Sequence, residues 1–171
     1  QVGGTKFSPD ALESARLFYQ GETRGNWSPV GEFEGRDVLI MGAGPGAKEH
    51  SKAIETFISN HRPLVMALNT QPCVDESLVD YRIACHPVRL LADSTAHLAG
   101  RSPVIMPYSM LPLEVQRSYN DIKVHDFGLR VEPGLFEFHA SGCVSPSSLV
   151  VAYALAVASS GKAKRVLMAG F

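Results

Sequence analysis

Small residues at a fixed spacing form the most specific chemical feature of the chain. In the stretch MGAGPGA, Gly42, Gly44 and Ala47 fit the pattern G-x-G-x-x-G/A, after an apolar run and before a segment of helical period. In such a turn the first glycine permits a tight bend, and the second lets the backbone approach an anion. The first helical N–H groups then face a phosphate. We therefore predict an anion site that includes Pro45 and Gly46. The alternative is that the glycines only make a tight strand-to-helix turn.

The residues that close the next apolar run argue against a nicotinamide cofactor. A dinucleotide site of the dehydrogenase type needs an Asp or Glu about 20 residues after the glycines, where it binds the ribose hydroxyls. Here the run PLVMALNTQ carries Asn69 and Thr70 at that point. An amide and a hydroxyl can hydrogen-bond a ribose or a base, but they supply no charge. Together with the proline in the turn, they favour a nucleotide other than NAD.

A histidine and a serine-rich stretch complete the candidate ligand set. His86 follows a third apolar run, so it should lie at the carboxyl edge of the sheet, where open α/β domains bind ligands. With Arg89 one helical turn away it could contact a phosphate or carboxylate, or it could simply form a strand-to-helix turn. Ser141, Gly142 and Ser145 belong to a second small-residue turn, which we expect to precede a helix and to bind an anion. Helix capping alone could also account for Ser145.

The remaining titratable residues do not make up a catalytic set. His125 and Asp126 lie at a predicted strand end and are acid–base candidates. Asp93 and His97 lie four residues apart on a predicted helix, where we expect a solvated pair. The sequence contains neither a G-x-S-x-G elbow nor a P-loop lysine. We therefore predict binding rather than catalysis by this chain alone.

The cysteines favour a reducing, cytoplasmic compartment. Cys73, Cys85 and Cys143 are an odd number at wide spacings with no CxxC pair, so they suggest neither a zinc site nor a redox dithiol. Cys143 with His139 could form a thiol nucleophile, but the spacing suggests no third orienting group, and a buried free thiol is the commoner arrangement. We expect no metal in this chain.

The composition excludes two classes of partner. The 171 residues carry a formal net charge of -1, which provides no electrostatic attraction for nucleic acid or for an anionic membrane surface. The most apolar run, Leu149 to Ala158, is too short to cross a bilayer. We therefore expect a protein whose partners are neither nucleic acids nor membranes.

From Arg36 onward, short apolar runs alternate with segments of helical period. The runs are Val38 to Met41, Leu64 to Leu68, Arg82 to Cys85, Val104 to Met106, Lys123 to Phe127 and Arg165 to Ala169. The helical segments lie at about 47–60, 75–80, 88–99, 111–118 and 146–160. Because the runs are continuously apolar, they should be buried on both faces of a sheet. The pattern predicts an α/β, Rossmann-like domain over 36–171, with a predominantly parallel sheet, helices on both faces and three layers.

Two further segments have their own signatures. Residues 1–35 are predicted to form a lead-in helix, beginning at Ser8 and Pro9 and ending at Gly21, and then a linker that Trp27 anchors by packing. The last helix, which we expect Ser145 to cap and Pro146 to open, is apolar all round its axis. Such a helix needs burial on more than one side, against the sheet or against a neighbouring domain or subunit.

The order of four motifs resembles the nucleotide-binding half of a bacterial sialyltransferase-like family, to which the archaeal 6-hydroxymethylpterin diphosphokinases look related. The motifs MGAGPG, ALNTQ, ASGCVSPSSLVVAYALAVASSG and VLMAGF occur in that order over about 36–171. The resemblance implies a nucleotide surrounded by the glycine turn and the asparagine, and it makes a nucleotide-dependent transferase one alternative. Members related to the diphosphokinases have Asp-Pro where this chain has His86 and Pro87, which argues against magnesium-dependent pyrophosphoryl transfer.

A closer likeness is to the C-terminal region of bacterial HMG-CoA-lyase-like aldolases of the 4-hydroxy-2-oxovalerate type, found among surface-polysaccharide genes. The runs SPDALESARLFYQG, LNTQ, ACHPVRLLAD and SLVVAYALAVA carry it. In such proteins they follow a TIM-barrel domain whose divalent metal is held by an H-x-H pair, which this chain lacks. The resemblance implies an accessory domain that binds a nucleotide of the CMP type or a nucleotide sugar, attached in cis to that barrel.

The two ends of the chain fit this expectation of a C-terminal fragment. The sequence opens QVGG without a methionine, and it stops at Phe171 directly after an apolar run. A domain that serves only for homodimerisation or docking remains the third alternative, because the last helix is apolar all round.

Overall fold

A six-stranded parallel sheet forms the centre of the computed structural model, which describes residues 19–70 and 73–171. The strands of this sheet and of a smaller one are β1 (Asp37–Met41), β2 (Leu64–Leu68), β3 (Tyr81–Ile83), β4 (Val104–Met106), β5 (Val124–Asp126), β6 (Gly128–Val131), β7 (Glu137–His139), β8 (Gly142–Ser145) and β9 (Arg165–Ala169). The large sheet has the order β5-β4-β3-β2-β1-β9, and each neighbouring pair is parallel. All six predicted strands are confirmed. The lead-in helix was predicted from Ser8, and residues 1–18 lie outside the described residues.

The helices after β1 follow the predicted segments, two of which are divided, whereas the helix that precedes β1 lies in the segment predicted as a linker. They are α1 (Val30–Phe33), α2 (Pro45–Glu49), α3 (Ser51–His61), α4 (Pro87–Ala92), α5 (Ser94–Ala99), α6 (Leu113–Arg117) and α7 (Val150–Ser160). The segment at 47–60 is divided at His50, and the one at 88–99 at Asp93. The segment at 75–80 is a single 3₁₀ turn, Glu76–Leu78.

Helices cover both faces of the large sheet, so the predicted α/β, Rossmann-like, three-layer fold is confirmed. Alternate residues of a strand point to opposite faces. Val38 and Ile40 of β1 therefore belong to a core shared with α1 and α7. Leu39 and Met41 belong to a core shared with α3, and a third cluster packs β4 against α4 and α6.

The smaller sheet, with the order β6-β8-β7, was not predicted from the sequence. Its strands are short, and they do not form the continuous apolar runs that mark the large sheet. The prediction that the last helix begins at Pro146 was wrong, because the strand that precedes the helix was not recognised. Ser145 is the last residue of β8, where it pairs with Val131, and its hydroxyl donates to Ser147 O at 2.8 Å. The helix α7 begins only at Val150, because the backbone groups of β8 are taken up by ladders on both sides.

The all-round apolar character of α7 is explained by its position between the two sheets. The helix contacts β7 and β8 on one side and β1 and β2 on the other. Its central residues are fully buried, and three of them are alanines that allow this close approach: Tyr153, Ala154, Ala156, Val157 and Ala158. The prediction that this helix is buried on more than one side is confirmed.

The segment before β1 straps the outer edge of β5. The N–H groups of Asn26 and Trp27 both donate to Asp126 O at 3.1 Å. The Trp27 ring packs against His125 with a centroid distance of 4.4 Å and belongs to the periphery of the main core. The prediction that Trp27 anchors this segment by packing is confirmed.

A charged cluster lies buried on the face of the sheet opposite α7. Arg82 is 4% exposed, and its Nε and Nη2 donate to the Glu76 carboxylate at 3.1 and 2.5 Å. Ser102 donates to Val79 O at 2.8 Å beside them. His97 is 1% exposed, so the prediction of a solvated pair with Asp93 is wrong. The helix α5 turns the imidazole inward, because its ring packs against Tyr119.

We expect the fold to lose stability in acid because of His97. Burial, with a smaller contribution from Arg82, lowers the pKa of His97 from 6.5 to about 4. Between these values the unfolded chain binds more protons, so the free energy of unfolding falls as the pH drops from about 6.5 towards 4. The loss should reach roughly 2–3 kcal/mol. Urea denaturation over a pH series measures it.

The variant His97→Phe provides the comparison. It removes the titrating group and should flatten the pH dependence, although His125 contributes in the same direction because burial also lowers its pKa. An equally steep dependence in His97→Phe would contradict this assignment.

Candidate functional site

A cavity of about 330 Å³ opens at the carboxyl edge of the large sheet. The chain runs outward from β1 to β5 and then returns to β9 on the other side of β1. Open α/β sheets bind ligands at such a reversal, beyond the carboxyl ends of the strands. Gly42, Asn69 and Thr70 line the cavity from the ends of β1 and β2, and Gly170 lines it from the end of β9.

The glycines of the predicted phosphate turn contact the protein's own backbone. Gly42 N–H donates to Ala169 O at 2.8 Å, and Gly44 N–H donates to Gly170 O at 3.0 Å. A Cβ on Gly42 would lie 2.4 Å from Gly170 O, and one on Gly44 would lie 2.7 Å from the same atom. Both positions therefore need glycine to let the turn meet the end of β9. Their N–H groups are engaged there and do not face the cavity as free donors.

The rest of the turn lies outside the cavity. Pro45 is the first residue of α2, which has five residues, and it has no N–H to donate. Gly46 is exposed, and a Cβ added there would meet no atom within 4 Å. Of the four turn residues assigned to the ligand, only Gly42 lines the cavity.

Asn69 is held in place by a left-handed backbone conformation. Its φ is 60°, a region that Asn tolerates better than most residues, and its N–H donates to Ile83 O at 2.9 Å. The chain therefore turns at the end of β2 beside the end of β3. Asn69 and Thr70 line the same cavity as Gly42.

The cationic group of the cavity is Arg89 on α4. Its Nε lies 3.8 Å from Asp93 Oδ2, and the two side chains are 39% and 18% exposed. This distance is too long for a hydrogen bond, so the pair leaves the guanidinium donors available to a ligand. In the sequence, Arg89 was considered only together with His86. Its position three residues after His86, one helical turn beyond the strand end, was the feature that could have placed it at the cavity.

The other predicted ligand residues lie outside the cavity lining. His86 is half-buried, its Nδ1 is buried with no hydrogen-bond partner among the described residues, and burial followed by the Arg89 charge lowers its pKa. The imidazole is therefore neutral at pH 7. Gly142 pairs with Gly128 and His139 inside the small sheet, and Ser141 precedes it. The structure does not bring Ser141, Gly142 and Ser145 to the cavity.

An apolar wall of the cavity was missed by sequence reasoning. It consists of Leu68, Leu149, Val150, Val151 and Phe171. The last of these follows β9, and a parallel strand beside β1 must end at the same edge as the glycine turn. The order of the motifs was therefore enough to place Phe171 near the cavity. Leu149 could be placed there only once α7 was known to begin at Val150.

The acid–base and thiol candidates are buried structural groups. His125 and Asp126 are each 5% exposed, and Asp126 Oδ1 accepts the Ser109 N–H at 3.0 Å. Burial raises the pKa of the Cys143 thiol to about 12, and it also raises that of Cys85, so both stay protonated at neutral pH. A buried protonated thiol is a poor nucleophile.

The fold and cavity define the class of the protein as a Rossmann-like, three-layer α/β domain with a cavity at the carboxyl edge of its parallel sheet. No family model, curated protein or solved structure matches the chain. Among residues 19–70 and 73–171, no group of three or more His, Cys, Asp or Glu side chains is placed to hold a metal ion. No helix within the described part of the chain has the length and apolar character needed to cross a membrane.

Proposed function

We propose that this chain is an accessory domain that binds a nucleotide or a nucleotide sugar. The observation that carries the proposal is the cavity of about 330 Å³, which combines the Arg89 cation with the Asn69 amide and the Thr70 hydroxyl. Its volume lies within the range of small-molecule sites. Because the lining combines polar groups with apolar side chains, the cavity suits a ligand with an anionic group and a flat or apolar part.

In this proposal the phosphate binds at Arg89 rather than at the glycine turn. A planar guanidinium binds phosphate through paired N–H donors. The first residues of α7, Val150 and Val151, line the same cavity, and the amino end of a helix favours an anion. The Asn69 amide and the Thr70 hydroxyl bind the ribose or the base, while Phe171 borders the apolar part.

The resemblance to aldolase C-terminal regions supports a wider assignment. We propose that the domain serves a cytoplasmic aldolase of surface-polysaccharide metabolism, with the aldol chemistry and its divalent metal in a barrel domain in cis. The buried state of Cys143 and of the His125 and Asp126 pair supports a binding rather than a catalytic role for this chain. A chain that by itself turns over a nucleotide sugar or a pterin would overturn this part and favour the transferase alternative.

Ligand binding is tested by calorimetric titration and thermal shift with CMP, CTP, a CMP-sugar, NAD and S-adenosylmethionine. We expect the cytidine nucleotides to bind and NAD not to bind. A ligand at 100 times its dissociation constant should stabilise the fold by about 2.7 kcal/mol. Arg89→Gln should weaken binding by about 10- to 100-fold, since it removes a charge-assisted contact to the phosphate.

The matched control for Arg89→Gln is Arg101→Gln. Arg101 is exposed and does not line the cavity, so its loss changes the net charge equally without touching the ligand. Equal affinities for wild type, Arg89→Gln and Arg101→Gln would refute the phosphate position. The absence of any nucleotide binding would refute the proposed function as a whole.

A further inference from the structure

The two edge strands of the large sheet differ in whether other backbone segments cover them. At the β5 edge, the strap before β1 donates two N–H groups to Asp126 O, and Gly25 allows a very close approach. A Cβ on Gly25 would lie 2.2 Å from Ser141 O and 2.6 Å from Gly128 N. The β5 edge is therefore covered by the protein's own backbone.

The β9 edge has no such cover among the described residues. β9 is the last strand in the order of the sheet, and it pairs only with β1. The Gly42 N–H donates to Ala169 O at 2.8 Å, so the backbone groups of Ala169 face β1. Because backbone groups of successive strand residues point in opposite lateral directions, those of Arg165 and Leu167 also face β1, and those of Val166 and Met168 point away from it. An outward row of unpaired N–H and C=O groups is a template for another strand.

The outer surface of β9 is apolar. Val166 and Met168 are 37% and 48% exposed, although they stand in register with the buried Val38 and Ile40. They therefore lie on the face of the sheet that α7 covers elsewhere. Val166 to Ala169 contains no proline and no charged residue, which are the devices that protect edge strands. Phe171, at 65% exposure, extends the surface beyond the strand.

We propose that a second copy of this chain binds at the β9 edge by adding its own β9 in the antiparallel direction. Antiparallel pairing of two identical edges is isologous and closes as a two-fold dimer. The result is a continuous sheet across two copies, with Val166 and Met168 of each copy packed against the other. The proposal goes beyond ligand binding, since none of its contacts uses Arg89, Asn69 or Thr70.

The charges along the edge favour this arrangement over a parallel one. Arg165 is the cation at the amino end of β9, and Asp37 neutralises it through two hydrogen bonds of 2.9 and 2.6 Å. With Leu167 opposite its counterpart, each Arg165 faces the uncharged Ala169 of the other copy, about 13 Å from the second Arg165. A parallel pair would instead place like charges side by side. The net charge of -1 adds little repulsion between copies.

Sedimentation of the 171-residue chain over a concentration series tests the dimer. We expect a monomer–dimer equilibrium whose dissociation constant rises by about tenfold or more in Met168→Lys, because a lysine at an edge strand opposes pairing. Leu113→Lys is the matched control. Leu113 is 67% exposed on α6, far from β9 in the strand order, so its substitution should leave the dimer unchanged.

Hydrogen exchange provides a readout that needs no substitution. The outward Val166 and Met168 amides should exchange more slowly as the wild-type concentration rises, whereas the exposed α6 amides should not change. A wild-type chain that stays monomeric at every concentration would overturn the proposal, as would unchanged exchange of the Val166 and Met168 amides. A dimer that Met168→Lys leaves intact while the variant remains folded would also overturn it.

Discussion

Gly42→Ala and Gly44→Ala each lower the free energy of unfolding by about 3–5 kcal/mol, because a methyl group at either position overlaps backbone rather than a movable side chain. The atom that it meets is Gly170 O, at 2.4 Å from the first Cβ and 2.7 Å from the second. Relief of the overlap would separate the turn from β9. That separation breaks the bonds from Gly42 N to Ala169 O and from Gly44 N to Gly170 O.

Gly46→Ala is the matched control within the same motif. Nothing lies within 4 Å of a Cβ at Gly46, and the residue belongs to α2, where alanine is favoured over glycine by about 0.5–1 kcal/mol. Urea denaturation of the three variants should therefore show two large losses and a neutral or stabilising change.

The same variants separate two roles for the glycines. If the turn were an open phosphate cradle, Gly42→Ala would keep its stability, and Gly46→Ala would lose nucleotide affinity. That pattern would contradict the close approach to β9 as the reason for these glycines. The pattern expected here is a loss of stability without a requirement for Gly46 in binding.

Glu76→Ala lowers the free energy of unfolding by about 3–5 kcal/mol, since it leaves the buried Arg82 without its counter-ion. The Arg82 side chain is 5% exposed, and the Glu76 carboxylate accepts both its Nε and its Nη2. Its Nη1 is buried with no partner among the described residues. The neighbouring His97 supplies no negative charge, so it cannot take over the role of the Glu76 carboxylate.

Substitution of the cation instead of the carboxylate should cost less stability. In Arg82→Met the remaining Glu76 side chain is 30% exposed and can be solvated, while the methionine fills the apolar part of the site. Glu49→Ala, at an exposed carboxylate of α2, should be close to neutral. Urea denaturation at pH 7 compares the three. Equal losses in Glu76→Ala and Arg82→Met would show that the pair, rather than the unpaired buried cation, dominates the cost.

Strand positions were predictable because strands that are buried on both faces of a sheet consist of consecutive apolar residues. β1, β2 and β4 are buried along nearly their whole length, and apart from Asp37 their residues are continuously apolar. The run Arg165 to Ala169 has the same composition, so the sequence predicts it as a strand. Whether it lies in the centre or at an edge depends on strand order, and the strand proves to be largely exposed.

The candidate site was predictable only in part. Gly42, Asn69 and Thr70 follow β1 and β2 directly, and the carboxyl ends of parallel strands must meet at one edge. Ser141, Gly142 and Ser145 were misplaced because nothing in a short stretch with glycine and serine distinguishes a turn from a strand of a second sheet. The ladder between β6 and β8 joins residues 14 positions apart along the chain, such as Arg130 with Val144 and Val131 with Ser145.

Local sequence was sufficient for the alternation of strands and helices, for the parallel α/β class and for the carboxyl edge as the place of the cavity, because each depends on the periodicity of burial or on chain direction. Tertiary structure alone decided what the glycine turn touches. A pattern that fits an approaching phosphate equally fits an approaching strand, since in both cases the glycines remove the Cβ from a crowded backbone contact. Here that contact is Gly170 at the end of β9, and the cation left for a ligand is Arg89.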